Sequence, residues 1–222
     1  ALEGFCYGPS SSQAVVDGQR AIAAVAPLGE QLTVTVTEDD GAIFTQKVWL
    51  FGTPLVVPFA PGKARFQIPL VATDPRKYGV QEQFTVGISG TSADGMAWPL
   101  FASGYLDFGT FSPSGLFYIT NNGTAESWPI FKARGLINTG LQIISDDDIL
   151  HYAATIPLGT EVTLSPYSGG RATIGTSDVT TNLARSNWPS VKPGQTRSFV
   201  FTGDGSADQN ALLTGIFSEA SW

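Results

Sequence analysis

Cysteine, histidine and charge are scarce in this sequence of 222 residues, which contains one Cys, one Met and one His. One cysteine excludes an internal disulfide and a site built from several thiolates, and one histidine excludes a site that needs two imidazoles. Charged residues make up 14% of the chain, and 12 basic against 19 acidic side chains give a net charge of -7. This balance argues against a broad phosphate-binding surface and specific nucleic-acid recognition. No apolar run approaches the roughly 20 residues that span a bilayer, so no membrane partner is expected.

Glycine, proline and aromatic residues are plentiful instead. The 25 Gly and 14 Pro, with 11% aromatic residues, favour short strands and tight turns over long helices. The length allows one large domain or two small ones. The sequence does not begin with Met, and nothing before Cys6 resembles a signal peptide. We therefore expect a processed chain or a piece of a longer one.

A single helix is predicted near the start, over residues 10–26. Ser11 or Ser12 can cap it, and Pro27 ends it. Gly18 inside it costs about 1 kcal/mol relative to Ala, so the helix is expected to need tertiary support. Apolar side chains recur at helical spacing: Val15, Val16, Ile22, Ala23 and Val25.

The hydrophobic period changes to two after Pro27. Residues 32–37 alternate between apolar side chains and Thr, which predicts a half-buried strand, and Asp40-Gly41 predicts a hairpin turn to a strand over residues 43–51. A proline-rich stretch over residues 54–62 and extended structure over residues 65–71 follow. Pro75 lacks a ladder donor and ends this part. We place a domain boundary here, with a β-rich domain carrying one helix over residues 1–75 and a second domain over residues 76–222.

The second domain reads as short strands with a turn every 8 to 12 residues or so, which is typical of an antiparallel β-sandwich. Strands and helices do not alternate, which argues against a parallel sheet. The expected fold class is therefore mainly all-β. The predicted strands cover residues 83–89, 104–108, 115–121, 128–134, 141–144, 151–155, 161–164, 171–174, 196–202 and 210–217.

No catalytic constellation stands out, and we expect no catalytic residues. A Ser–His–Asp triad would have to use His151, which lies in a strand-like stretch, and the sequence has no Gly-x-Ser-x-Gly elbow. Cys6 has no basic neighbour in the sequence to activate it as a nucleophile.

Asp146-Asp147-Asp148 is an acidic cluster between two predicted strands. Two carboxylates suffice for a glycosidase, so a hydrolase that uses this cluster is one alternative. The other, which we favour, is a solvated turn whose Asp side chains accept hydrogen bonds from local backbone N–H groups.

Metal and sugar sites are the remaining possibilities. Asp204, Ser206 and Asp208 alternate like the start of a calcium loop, but the Gly and Glu that complete such a loop are missing, so a hairpin without metal is expected. Asn122-Gly-Thr124 matches a glycosylation sequon, although Asn-Gly is also typical of a turn.

Tryptophans are candidates for sugar binding, because flat aromatic faces can stack on pyranose rings, whereas core packing is the default for Trp. The five tryptophans are Trp49, Trp98, Trp128, Trp188 and Trp222.

Three ordered blocks of the sequence resemble siphophage distal tail (Dit-like) and related minor tail proteins. Residues 65–79 (RFQIPLVATDPRKYG) resemble the F-x-V-x-L-x-A-x-D-P-x-x-Y strand that leaves the N-terminal domain of that family. Residues 109–134 contain NNGTAESWPI, which is similar to its N-x-G-x-x-x-x-P strand pair. Residues 158–162 and 188–201, with WPSVKPG and TRSFVF, resemble its W-x-x-L-x-P-G-x-N-x-I-x-F ending. The departures are Val191 for Leu, Gln195-Thr196 for x-Asn, and fewer strands before the helix.

The resemblance implies a structural protein of the virion without enzymatic activity. Such proteins form a ring, typically of six copies, at the distal end of the tail tube. The N-terminal domains make the ring, and galectin-like β-sandwich domains project from it. The implied partners are further copies of the chain, the tail tube, the tape-measure protein and the tail-tip or receptor-binding proteins, with no cofactor. A carbohydrate-binding β-sandwich module that recognises host-surface glycans is the alternative.

A ring of this kind surrounds a channel through which the genome leaves. Together with the net charge of -7, the resemblance predicts a lumen with few Lys or Arg side chains, because such cations would hold the duplex through counterion release. The alternative is that the negative charge only keeps the protein soluble. A lumen lined by Arg65, Arg76 and Lys77 would contradict the prediction.

Overall fold

The computed structural model of the protein describes residues 2–25, 29–39, 41–89, 115–167, 169–203 and 210–222. Contacts within the chain separate two compact units, Ala1–Gly79 with Trp222 and Val80–Ser221. Across the described residues, no helix has the length and apolarity needed to cross a bilayer.

The first unit combines a helix with short antiparallel strands. Strands β1, β5 and β4 form a three-stranded sheet in that order. Strands β2 and β3 form a hairpin, in which the Glu38 N–H donates to the Ala42 carbonyl, and β6 and the start of β7 pair with β3. The elements are β1 (Leu2–Tyr7), α1 (Ser11–Val25), β2 (Gln31–Thr37), β3 (Ile43–Leu50), β4 (Leu55–Ala60), β5 (Lys63–Ile68), β6 (Leu70–Val71) and β7 (Lys77–Gly87).

Helix α1 packs on the three-stranded sheet through small residues. Ala14 and Gly18 lie four residues apart on one face of the helix, and both are buried. A Cβ atom added to Gly18 would lie 2.9 Å from the Cys6 Sγ of β1 and 3.2 Å from the Val56 Cγ1 of β4. Gly18 is therefore a point of close contact between helix and sheet. The sequence-based view of Gly18 as a helix penalty missed this packing role.

The start of the helix is held by serines in a different way from the one predicted. Ser10 Oγ accepts a hydrogen bond from the Gln13 N–H at 3.2 Å, so Ser10 is the capping residue. Ser11 Oγ instead donates to the Ala60 carbonyl at 2.8 Å, which ties the helix start to β4.

The second unit is a sandwich of two antiparallel sheets. One sheet has the strand order β15-β11-β10-β16-β8, and the other has the order β14-β13-β12-β9-β17-β7. A 3-10 turn, Thr180–Asn182, precedes β15. The further strands are β8 (Leu116–Thr120), β9 (Ile130–Arg134), β10 (Leu141–Ser145), β11 (Asp148–Tyr152), β12 (Glu161–Ser165), β13 (Arg171–Ile174), β14 (Ser177–Asp178), β15 (Leu183–Ser186), β16 (Thr196–Gly203) and β17 (Leu212–Ser221).

The core of this unit is a cluster of aromatic and aliphatic side chains from both sheets. The rings of Phe117 and Phe199 are stacked with centroids 5.2 Å apart, and Phe131 of the opposite sheet lies 5.9 Å from Phe199. Each such side chain stabilises the fold by about 1.5 to 3 kcal/mol through burial. The alternation of buried and half-exposed residues along β8, β10 and β16 follows from this one-sided packing.

The predicted class, mainly all-β with one helix and antiparallel sheets, is confirmed. The sequence pattern misses β1, β4, β14 and β15. No strand is predicted in the proline-rich stretch over residues 54–62, yet β4 lies there, with Pro58 at a sheet edge, where proline is tolerated. Strand β11 begins at Asp148 instead of His151, because Asp148 pairs directly with Ser145 across a tight turn. The strand predicted over residues 104–108 lies outside the described residues.

The contact at Gly18 generates a stability prediction. Gly18→Val should destabilise the protein by about 1 to 3 kcal/mol, because its side chain overpacks the space held by Cys6 and Val56. Arg20→Val, at an exposed site on the same helix, is the matched control and should change stability by about 0.5 kcal/mol or less. Urea unfolding followed by far-UV circular dichroism measures both. Equal unfolding midpoints for the two variants would contradict the packing role.

Candidate functional site

The single histidine and the single cysteine both lie in β-strands. His151 sits inside β11, opposite Gln142 of β10 and Arg185 of β15. The Cys6 side chain is half-buried in β1 and faces Gly18 of the helix. Among the described residues, no group of three His, Cys, Asp or Glu side chains is placed to hold a metal ion. Asp204, Ser206 and Asp208 lie outside the described residues.

The acidic cluster surrounds the guanidinium of Arg197, whose side chain is only 11% exposed. Arg197 Nη2 donates to Asp148 Oδ2 at 2.8 Å, and Nε donates to Asp146 Oδ2 at 3.1 Å. The backbone carbonyls of Ser145 and Ser190 accept two further hydrogen bonds from Arg197, at 2.9 and 2.7 Å. Three acceptors from the β10–β11 hairpin and one from the segment before β16 therefore hold one cation that is largely buried.

The prediction of a solvated turn agrees with the exposed Asp146 and Asp147, but the local hydrogen-bond partners predicted for Asp146 and Asp148 are wrong. Asp146 begins the turn between β10 and β11 with a positive φ of 49°. Its carboxylate binds Arg197 of β16, a long-range partner, instead of local backbone N–H groups. The two carboxylates are the counter-charges of a structural arginine. A pair of acids engaged in this way has a structural explanation that does not require hydrolysis.

A second charged cluster lies at the Asp-Pro-x-x-Tyr segment. The Asp74 carboxylate accepts hydrogen bonds from Arg76 Nε at 2.8 Å and Arg76 Nη2 at 2.6 Å, and from the Tyr78 hydroxyl at 2.6 Å. The Asp74 carbonyl accepts a hydrogen bond from Gln46 Nε2 of β3 at 3.2 Å. Burial by itself would raise the pKa of Asp74, but the hydrogen bonds from Arg76 and Tyr78 and the charge of Arg76 lower it from 3.8 to about 2.

The loop after β8 depends on Asn121, a buried residue that the sequence analysis did not single out. Its Nδ2 donates to the Ala125 and Val191 carbonyls at 2.8 and 2.9 Å, and its Oδ1 accepts from the Gly123 N–H at 3.0 Å. A Cβ atom on Gly123 would lie 2.0 Å from the Ala220 oxygen. Glycine is thus needed at position 123 because the backbone of Ala220 comes too close for a side chain. This reason differs from the positive φ that a hairpin turn would require.

The tryptophans do not form an exposed platform in the described part of the chain. Trp49, Trp128 and Trp188 are half-buried, and Trp188 packs against the sandwich core. Trp222 is 68% exposed. Trp98 lies outside the described residues. The stacking surface that sugar binding would need is therefore not supplied by the three half-buried tryptophans.

Large apolar side chains are exposed instead on the three-stranded sheet of the first unit. Cys6 and Val56 point to the helix, so the alternation along β1 and β4 turns Phe5, Tyr7, Leu55 and Val57 to the other side. Phe59 lies on that side too, because its ring centroid is 5.1 Å from that of Phe5. We call this surface the outer face. A sequence signal for it exists, since Gly4-Phe-Cys-Tyr7 alternates small and aromatic residues with the period of a strand.

No family model matches the chain, and no curated protein matches it. Among solved structures, the chain is similar to SPP1 Dit, described as a paradigm of the hub adsorption apparatus in phages that infect Gram-positive bacteria, with 14% identity and a TM-score of 0.61 over 99% of this chain and 77% of that one. It is also similar to a chain of the phage P2 baseplate in its activated conformation with Ca, with 12% identity and a TM-score of 0.43 over 97% of this chain and 79% of that one. The likeness to SPP1 Dit shows that the chain has the fold of a phage Dit protein, as the sequence resemblance implied.

The lowered pKa of Asp74 generates a pH-dependent prediction. Because the carboxyl has a pKa of about 2 when folded and 3.8 ordinarily, its ionisation stabilises the fold above about pH 4 and ceases to do so as the pH falls to 2. The side chain is 32% exposed, so we expect Asp74→Asn to cost about 1 to 2 kcal/mol at pH 7. Urea unfolding at pH 7, 5, 3 and 2 should show this cost shrinking towards acid pH. A cost that is independent of pH, or equal to that of the exposed Asp39→Asn control, would refute this account.

The Arg197 cluster generates a second prediction. Arg197→Gln should destabilise the protein by about 2 kcal/mol or more, because it leaves two carbonyls and two carboxylates without their cation. Arg185→Gln, an exposed arginine of the same sheet, should be close to neutral. Thermal and urea unfolding report the difference. Similar stabilities of the two variants would show that Asp146 and Asp148 do not depend on Arg197.

Proposed function

We propose that this protein is a structural subunit of a phage tail and that it has no enzymatic activity. In this proposal six copies form a ring at the distal end of the tail tube, in the virion. The ring joins the tube and tape-measure protein to the tail-tip or receptor-binding proteins. The observation that carries the proposal is the Dit fold over 99% of the chain, found together with three sequence blocks in the order of that family.

The side chains that suggested catalysis support the non-enzymatic part of the proposal. Asp146 and Asp148 are engaged with Arg197, and Cys6 packs against the helix. His151 lies inside a paired strand. Low charge also agrees with a chain that makes large protein contacts, since interface cores are depleted in charged residues.

The charge distribution supports a channel that does not retain DNA. Arg65, Arg76 and Lys77 each form an ion pair, with Glu3, Asp74 and Glu38 respectively. A cation that is already paired releases fewer counterions from duplex DNA than a free one. Three cations of the first unit are thus paired with carboxylates, which favours weak DNA binding.

Self-association is the first expected outcome. Mass photometry and sedimentation velocity should find a species of about six times the 23.5 kDa chain mass at micromolar concentration, because each ring subunit carries two different surfaces that fit one another head-to-tail. A strict monomer at tens of micromolar would contradict the ring. If that monomer also bound host glycans, the carbohydrate-binding alternative would replace the ring proposal.

Weak DNA binding is the second expected outcome. Fluorescence anisotropy with a labelled duplex and the assembled protein should show no saturable binding at low salt, where electrostatic contacts are strongest. A basic DNA-binding protein measured alongside serves as the positive control. Tight binding that falls steeply with added salt would contradict a non-retaining channel.

A further inference from the structure

Asn122-Gly123 is the one Asn-Gly pair in the sequence, and it lies in the loop between β8 and β9. Asparagine is a chemically labile residue. A following glycine makes it more so, because no side chain hinders attack by the glycine nitrogen on the preceding amide. Asn122 is exposed, so water reaches its side chain. In a flexible chain this pair would therefore lose its amide group by deamidation.

Deamidation at this pair needs the Gly123 nitrogen and the Asn122 side chain to come together. The nitrogen loses its proton and attacks Asn122 Cγ. The new N–Cγ bond closes a five-membered succinimide ring, and the Cγ–Nδ2 bond breaks as the amide group leaves with that proton as ammonia. Water then opens the ring at either carbonyl, which gives aspartate or isoaspartate. Water is the only other reactant, so the local geometry controls the rate.

The structure engages both of the groups that would react. The Gly123 N–H donates to Asn121 Oδ1 at 3.0 Å. Asn122 Nδ2 donates to Oε1 of Glu219, in β17, at 2.6 Å, and the Asn122 N–H donates to the same oxygen at 3.3 Å. The nucleophile is thus held by one neighbour, and the amide that must leave is held by another.

The backbone around the pair is fixed as well. The Thr124 N–H donates to Ser221 Oγ at 3.4 Å, and the Ala125 N–H donates to the Ala220 carbonyl at 2.9 Å. The N–H groups of residues 122 to 125 therefore all have acceptors. Rotation of the amide onto the next nitrogen requires several of these hydrogen bonds to open together, and the free energy of such a local opening lowers the population that can react.

We propose that Asn122 is a deamidation site that Glu219 and Asn121 keep unreactive in the folded protein. Glu219 is a positioning residue, because it binds the amide that must leave and takes no part in the reaction. The inference concerns the chemical lifetime of the fold and does not depend on the proposed function. Deamidation would place a carboxylate where the amide now donates to Glu219, and the two like charges would repel each other.

The protection is tested by comparing the folded protein with the chain unfolded in urea. Both samples are incubated at mildly alkaline pH, and peptide mapping by mass spectrometry follows the conversion of Asn122 to aspartate and isoaspartate. The unfolded chain should react about tenfold faster or more, because only the opened loop reacts in the folded protein. Equal rates in the two samples would overturn the proposal.

The role of Glu219 is tested by a matched set of variants in the folded state. Glu219→Ala should raise the deamidation rate at Asn122 by about tenfold, because it removes a hydrogen bond to a charged acceptor. Glu219→Gln keeps an acceptor oxygen and should react more slowly than the Ala variant. Glu161→Ala, at an exposed glutamate of β12, is the control and should react like the unaltered protein.

Asn138, an exposed asparagine followed by Thr, is the internal reference in the same digests. General unfolding would raise the rate at both asparagines, whereas loss of the local hydrogen bond raises it at Asn122 alone. Equal rates at Asn122 in Glu219→Ala and Glu161→Ala, or an equal acceleration at Asn138, would overturn the role of Glu219. If Glu219→Ala does not fold, Glu219→Gln decides in its place, and a rate as fast as that of the unfolded chain contradicts the inference.

The consequence for the fold is tested by mimicking the product. Asn122→Asp should unfold at a lower urea concentration than Asn122→Ser, because both variants lose the amide donor but only the first places a negative charge beside Glu219. Equal midpoints for the two variants would show that the repulsion does not act on the loop.

Discussion

The close approach of helix α1 to one side of the three-stranded sheet determines what the other side of that sheet does. Gly18 and Ala14 have almost no side chain, so the helix can lie directly on Cys6 and Val56. Strand geometry then turns Phe5, Tyr7 and the neighbouring residues of β4 away from the helix. Because the helix covers one side of the sheet, the apolar side chains of the other side contact either water or a partner. Exposing them to water costs free energy, which is the physical basis for expecting a partner.

Charged residues make up only 14% of this protein, and the partly buried Arg76 and Arg197 are held by specific acceptors. Arg197 is surrounded by Asp146, Asp148 and two carbonyls, and Arg76 is held by Asp74. A partly buried cation needs such partners because desolvation is expensive. The carboxylates of Asp146, Asp148 and Asp74 are therefore committed to the fold. The exposed aromatic residues of the first unit are therefore the more informative surface.

The chain has the Dit fold although it is only 14% identical to SPP1 Dit. The three sequence blocks therefore reflect the residue types that particular strands and turns need. In the first block, Asp74 and Tyr78 are hydrogen-bonded to each other at the end of the first unit. In the last block, Val191 is fully buried and Gly194 has a φ of 68°, which favours glycine. Local geometry restricts which residue types fit at these positions. A resemblance at them therefore identifies the fold even where the overall sequence identity is low. Val in place of Leu at position 191 keeps the apolar burial.

The sequence by itself determined the all-β class, the helix near the start and most strands of the sandwich, because alternation of apolar residues and turn chemistry are local properties. The Dit-like architecture was implied by the resemblance of the three ordered blocks to that family. Strands β4 and β15 could not be predicted from the sequence. Pro58 interrupts the strand pattern of β4, and β15 is too exposed to show apolar alternation. Only the tertiary structure decided that Asp146 and Asp148 face Arg197, 49 to 51 positions away in the chain, and that Gly18 is a packing contact. The outer face was decided there as well, because whether Phe5 and Phe59 are core or surface depends on which side of the sheet the helix covers.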